Sequence, residues 1–277
     1  MKNKLVVTKA SGVAEPFSLK KLRNSLGRAK ATPQEINSII NELLPKLYQG
    51  ISTKKIYSEA LRLLRHQSKP HAARYHLKRG MMELGPSGFA FEKFIGELFK
   101  HQGYAVQVGK ILEGKCVKHE IDVIAEKENI IMFMECKYRN QPGMAVDIKT
   151  PLYIQSRFED VIANELLKNK EHKFFGCITT NAKFTRDALD YGLCKGLNLL
   201  SWDYPHNKAL KDMIDNSGLY PLTCLTSLTR HEKQWLLAKE YVLLRDLYDN
   251  YDLLLKAGVK ESRLKSVMDE VAQLCRK

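Results

Sequence analysis

His119-Glu120-Ile121-Asp122-Val123-Ile124-Ala125, followed after four residues by Ile130-Ile131-Met132-Phe133-Met134-Glu135-Cys136-Lys137-Tyr138, is the stretch on which the reading of this chain turns. Both runs are apolar with charges set into them. Side chains on a strand alternate faces with period two, so Glu120 and Asp122 share a face of the first run, and Glu135 and Lys137 share a face of the second. Lys127-Glu128-Asn129 is of hairpin length, which makes the runs antiparallel neighbours and brings Asp122 alongside Glu135. A charge within an apolar strand is costly unless it has a partner or a metal. Two carboxylates supply the hard oxygen ligands that Mg²⁺ takes. Such an ion makes water a usable nucleophile and offsets charge developing on a phosphate. Lys137 is placed to orient that water or to stabilise an anionic transition state.

Working outward, residues 89–101 carry helical spacing and stop at Gly103. Residues 104–108 read as a strand, 119–126 and 129–138 as the two strands above, and 151–168 as a helix. A strand at 173–180, a helix at 185–193 and a strand at 197–202 complete the block. This α-β-β-β-α-β-α-β order predicts one mixed sheet flanked by helices over residues 88–220. The breaker cluster Gly85-Pro86-Ser87-Gly88 marks its N-terminal boundary.

Residues 1–84 predict a mostly helical domain with a small β-element. A strand at 5–8 and a turn at Gly12 lead to Ser18, an N-cap for a helix over 19–29. Ile36, Ile39, Ile40, Leu43, Leu44 and Leu47 predict a helix over 33–48, ended by Gly50. Ser52 or Thr53 caps a third helix, and a fourth covers 71–82. Residues 221–277 are helical in pattern, with a turn at Ala257-Gly258-Val259. The fold class expected is α/β: a helical N-terminal domain, a mixed-sheet domain and a small helical C-terminal module.

The chain has 277 residues, 44% hydrophobic and 27% charged, which suits a folded protein with real cores. No apolar run approaches the ~18 residues of a membrane span, and the first residues show no signal peptide, so a cytoplasmic, membrane-free setting is expected. The six cysteines are scattered without a Cys-x-x-Cys pair, which argues against a disulfide framework or zinc ribbon. Net charge is +14, from 45 Lys+Arg and 31 Asp+Glu, and residues 1–85 alone hold 17 basic against 5 acidic side chains. A field of that sign attracts polyanions such as nucleic acid or nucleotide phosphates.

Gly88-Phe89-Ala90-Phe91-Glu92, Gly103-Tyr104-x-Val106, Glu120-Ile121-Asp122, Glu135-Cys136-Lys137 and Ile178-Thr179-Thr180-Asn181-Ala182-Lys183-Phe184-Thr185 occur in that order. Through them, residues 88–200 resemble the Mrr-type restriction endonucleases of the PD-(D/E)xK superfamily. The resemblance implies a Mg²⁺-dependent (or Mn²⁺-dependent) DNA endonuclease acting most naturally on double-stranded DNA. It also implies Asp122, Glu135 and Glu92 as metal ligands, Lys137 beside the attacking water, and Gln155 as an active-site glutamine. Many relatives approach the aspartate through glycines, where this chain has Lys118-His119-Glu120-Ile121.

Val7-Thr8-Lys9-x-x-Gly12-x-x-Glu15-x-Phe17-Ser18-x-x-Lys21, Gly50-Ile51-Ser52-Thr53-x-x-Ile56-Tyr57 and Ala72-Ala73-Arg74-Tyr75-His76-Leu77 make residues 3–84 resemble the ATP-cone. This is the nucleotide-sensing domain of many ribonucleotide reductases. It implies ATP or dATP as an effector, with Lys9 and Lys21 on the phosphates, Glu15 and Ser18 near the base and the helix start, and Thr53 and Tyr57 on the other wall. No Gly-x-x-x-x-Gly-Lys-Ser/Thr loop is present, which disfavours a hydrolysing motor. Leu225 to Val259 looks similar to a helix-hairpin-helix-like element. A non-cleaving, nucleotide-responsive DNA-binding regulator is the alternative reading. An RNA or branched-DNA substrate, and a homodimer or a higher nucleotide-dependent oligomer, fit the same residues.

Overall fold

The computed structural model describes residues 5–9, 11–168 and 170–275. The chain divides into two compact units: Met1–Gly80 with Leu222–Trp235 and Leu244–Lys277, and Met81–Pro221 with Leu236–Leu243.

The first unit opens with β1 (Val6–Thr8) antiparallel to β2 (Ala14–Pro16), turned at Gly12. Ser18 Oγ accepts the Lys21 N–H at 3.2 Å and starts α1 (Leu19–Arg28), the N-cap role expected of it. Thr32 and Glu35 form a reciprocal capping box at the head of α2 (Pro33–Leu43). This helix is shorter than its apolar spacing predicts. Pro45 has no N–H to give, and the chain tightens into a 3-10 turn at Leu44–Lys46. Ser52 caps α3 (Thr53–Gln67), and α4 (Lys69–Met82) follows. Leu26, Ile39, Ala60, Leu64 and Ala72 are fully buried in the shared core.

The second unit contains α5 (Phe89–His101), whose Phe91, Phe94, Ile95 and Leu98 are buried. Its sheet runs β3 (Ala105–Glu113), β4 (Lys118–Lys127) and β5 (Ile130–Lys137) as an antiparallel meander. Lys127 pairs with Ile130 at the end of the β4–β5 hairpin, and Glu128 takes a left-handed φ of 55° in its two-residue turn. After β6 (Ala145–Val146), α6 (Lys149–Lys168) crosses over to β7 (Lys173–Thr180), parallel to β5. β8 (Lys183–Phe184) pairs with β6, and α7 (Arg186–Cys194) returns the chain to β9 (Asn198–Leu200), parallel to β7. The order β3-β4-β5-β7-β9 is the mixed, helix-flanked sheet expected. Gly176 of β7 is a point of close approach, since a Cβ there would lie 2.5 Å from the Phe158 ring of α6. α8 (Leu210–Ser217), β2, β6 and β8 lie outside the predicted elements.

Helices α9 (Arg230–Ala238), α10 (Tyr251–Lys256) and α11 (Glu261–Cys275) make the C-terminal region helical. The buried Glu270 carboxylate accepts the backbone N–H groups of Thr226 and Ser227, each at 2.9 Å, so its charge is satisfied internally. Within the first unit, Thr223 Oγ1 donates to the Gly80 carbonyl at 2.7 Å and Lys69 Nζ to Ser266 Oγ at 2.8 Å. No described helix is long and apolar enough to cross a membrane.

Candidate active site

The antiparallel register pairs Val123 with Met134, which places Asp122 and Glu135 at neighbouring positions where β4 and β5 diverge. Asp122 Oδ2 accepts the Cys136 N–H at 2.6 Å, pinning its carboxylate to the adjacent strand. Glu135 is only 4% exposed. Its Oε1 is ion-paired with Lys137 Nζ and its Oε2 with Arg157 Nη1, the latter at 2.8 Å. Arg157 reaches down from α6 and also donates to the Glu120 carbonyl. Glu92 lies on the first turn of α5, with its carboxylate over Gly88, where a Cβ would lie 3.1 Å from Oε1.

These carboxylates share one electrostatic field. Burial, then the charges of Asp122, Glu120 and Glu135, push the Glu92 carboxyl up to about 7, with Lys137 opposing. Burial and then Glu135 push Asp122 up to about 6, against the Cys136 N–H, Lys137 and Arg157. Burial holds the Cys136 thiol well above its ordinary range, so it is no nucleophile here.

Among the described residues, no three His, Cys, Asp or Glu side chains converge into a ready metal shell. The chemistry of the donor set nevertheless fits a hard divalent cation. Asp122, Glu135 and Glu92 offer oxygen alone, their mutual repulsion favours a shared positive charge, and Mg²⁺ needs only one or two carboxylates besides water.

Gln155 Nε2 donates to Glu159 Oε1 at 2.9 Å, one turn along the same helix. Two residues on, Arg157 is the α6 side chain that reaches Glu135, and the sequence motifs did not mark it. The stripe Ile154, Phe158 and Val161 buries α6, and a cation on the flank of such a stripe is the available signal. His119 Nε2 bonds Asp160 Oδ2 at 2.8 Å, and Asp160 also accepts the Cys116 and Val117 N–H groups. That set fastens the β3–β4 turn to α6.

In the first unit, Glu15 gathers Lys9 Nζ at 2.7 Å and Lys21 Nζ at 3.6 Å, and these cations, Lys9 first, lower its carboxyl pKa. Ser18 sits between them in sequence with its hydroxyl engaged in the α1 cap. Thr8 bridges Ser52 and its N–H bonds the Ile51 carbonyl at 3.0 Å, joining β1 to the head of α3. Thr53 and Tyr57, four residues apart, share a side of α3. The Tyr57 hydroxyl is 2.8 Å from His76 Nδ1 and its ring stacks on Tyr75.

Comparison with known proteins adds a lineage. An uncharacterized protein of Archaeoglobus fulgidus is 33% identical over 132 residues, spanning 47% of this chain and 71% of that protein. The AF1548-like C-terminal family model matches residues 220–275. The chain belongs to the AF1548-like family. The crystal structure of AF1548, a protein of unknown function, is similar with a TM-score of 0.56 and 26% identity, covering 68% of this chain and 98% of that one. The restriction endonuclease MspJI in complex with a 27-mer oligonucleotide gives a TM-score of 0.34 at 13% identity over 74% of this chain and 37% of that chain, too distant to bear on function. The AF1548-like C-terminal match falls on the α9–α11 region and leaves the acidic edge of β4 and β5 outside it.

Proposed function

We propose that this AF1548-like chain is a Mg²⁺-dependent or Mn²⁺-dependent DNA endonuclease of the Mrr type, regulated by ATP or dATP at an ATP-cone-like N-terminal domain. The carrying observation is the acidic edge itself: Asp122 and Glu135 side by side on β4 and β5, with Glu92 in the same field and Lys137 on Glu135. Asp122 and Glu92, whose proton affinity is raised by burial and by the neighbouring carboxylates, make with Glu135 a poor structural cluster and a good cation site.

Asp122, Glu135 and Glu92 would hold the ion. When bound, it offsets charge developing on a phosphodiester and makes water nucleophilic at neutral pH. Lys137, held by Glu135, donates to the attacking water or to a phosphoryl oxygen. Hydrolysis forms a bond from the water oxygen to phosphorus and breaks the bond to a sugar oxygen, which leaves with a proton. The basic excess of residues 1–85 and the Lys9, Glu15, Lys21 group support a triphosphate effector.

Supercoiled plasmid, incubated with Mg²⁺ or Mn²⁺ and titrated with ATP and dATP, tests the reading. Nicking is expected, and Asp122→Ala, Glu135→Ala and Lys137→Ala each abolish it without unfolding the chain. Cleavage retained in all three variants would overturn the site. DNA binding without cleavage under any metal would favour the non-cleaving regulator.

A further inference from the structure

β5 ends at Lys137, but its line is carried further by a side chain. Asn181, just beyond β7, accepts the Arg139 N–H on Oδ1 at 2.8 Å and donates Nδ2 to the Arg139 carbonyl at 2.8 Å. One amide doing both imitates the backbone of a neighbouring strand. Thr180 Oγ1 donates to the Lys137 carbonyl at 2.6 Å and accepts the Ala182 N–H at 3.1 Å. Thr180 and Asn181 are 0% and 1% exposed, so these bonds are costly to leave unmade. The pair Thr180-Asn181 thus holds the chain where Lys137 and Arg139 leave the sheet.

Period two from Glu135 and Lys137 makes Arg139 the next residue of the row, ~6.6 Å beyond Lys137 along an extended chain. Its Nη1 donates to the Tyr138 carbonyl at 3.2 Å. Among the described residues, its Nε is buried without a hydrogen-bond partner. An unpaired buried donor on a permanent cation is a cost to the free protein. Turning the guanidinium outward to a ligand that brings both an acceptor and a negative charge removes that cost, and a phosphodiester does both, with two oxygens that match a guanidinium edge.

We infer that Arg139 is a phosphate-binding residue beside the acidic edge, gripping the nucleic-acid strand next to the bond that is cut, and that Asn181 and Thr180 are its positioning residues. This rests on the nuclease reading above.

The test uses the full chain and a fluorescein-labelled DNA duplex, with anisotropy titrations in Ca²⁺ over a salt series, plasmid cleavage in Mg²⁺ and Mn²⁺, and thermal unfolding in parallel. Arg139→Met keeps the aliphatic stem and removes the unpaired donor. Its binding falls at least tenfold, and the slope of log K against log salt drops by about one phosphate's worth, ~0.9 for duplex DNA. Its Tm equals or exceeds that of the wild type. Arg139→Lys recovers the salt slope. Asn181→Ala weakens binding in the wild-type background and adds nothing to Arg139→Met. If the wild type binds and cleaves while Arg139→Met binds equally well, the inference falls and the nuclease reading stands. A drop in Tm with unchanged salt slope makes Arg139 structural and also overturns it. A wild type that neither binds nor cleaves removes the nuclease reading, and the inference with it.

Discussion

Arg157 Nη1 sits 2.8 Å from Glu135 Oε2, so a helix cation closes the second oxygen of a carboxylate whose first oxygen is taken by Lys137. The crossover helix α6 is thereby tied to the strand that carries the site. Removing Arg157 leaves the buried Glu135 carboxylate with Lys137 alone, and losing a hydrogen bond to a charged group costs about 1.5–3 kcal/mol. Arg157→Met should therefore lose stability on that order in urea unfolding. Glu135→Gln combined with Arg157→Met should recover much of it, because both charges are then gone. Additive losses in the double variant would mean that the two side chains do not act as a pair.

The contrast between Arg157 and Gln155 shows how far the sequence could be read. Asp122, Glu135 and Lys137 were legible because strand alternation and a short hairpin are local rules, and they suffice to bring three side chains together. Gln155 and Arg157 lie about 200° apart around a helix, on opposite flanks of the stripe Ile154, Phe158 and Val161. Which flank meets Glu135 depends on how α6 docks, and no local rule contains that. β6 and β8 escaped for another reason: two-residue strands carry no period to detect. Asn181 shows its role only in space, since its partner Arg139 is 42 residues away. The association of Leu222–Trp235 with Met1–Gly80 is likewise a matter of distant contacts such as Thr223 with Gly80.

The raised carboxyls dictate a pH dependence. Asp122, at about 6, and Glu92, at about 7, bind protons more tightly folded than unfolded, where their ordinary values are 3.8 and 4.5. The folded state therefore holds more protons between about pH 4 and 7, and these groups make stability fall as pH rises through that window. Thermal unfolding without divalent ions should show this decline, flattened in Asp122→Asn with Glu92→Gln. At pH 7.5, added Mg²⁺ should raise Tm in the wild type by favouring the folded state, and fail to do so in the double variant. A wild type with no Mg²⁺-dependent shift, and a pH profile matching the variant's, would contradict the shared field.

Glu15 holds two lysines whose charges a triphosphate would compete for. Lys21→Glu reverses one of them and should lower ATP and dATP affinity at least tenfold by isothermal titration, consistent with a lost charge-assisted hydrogen bond of about 1.5–3 kcal/mol. Lys9→Ala should weaken binding in the same direction. Unchanged affinity in both variants would remove the two lysines from the nucleotide site.

Asp160 organises the β3–β4 turn from outside the sheet, and its pH signature has the opposite sign. The His119 hydrogen bond, helped by the Cys116 and Val117 N–H groups, holds its carboxyl down at about 2, below the ordinary 3.8. The stabilisation is fully present above about pH 4 and is lost as pH falls toward 2. Asp160→Ala releases the two amides, whose hydrogen exchange should accelerate near neutral pH while exchange at Phe133 and Met134 in the buried centre of β5 is unchanged. Because His119 is occupied by Asp160 and not by the acidic edge, plasmid cleavage by His119→Gln should stay within about threefold of the wild type. A loss of cleavage as deep as that of Glu135→Ala, in a chain that still folds, would instead place His119 on the substrate, since a missing catalytic contact costs about 10²-fold or more.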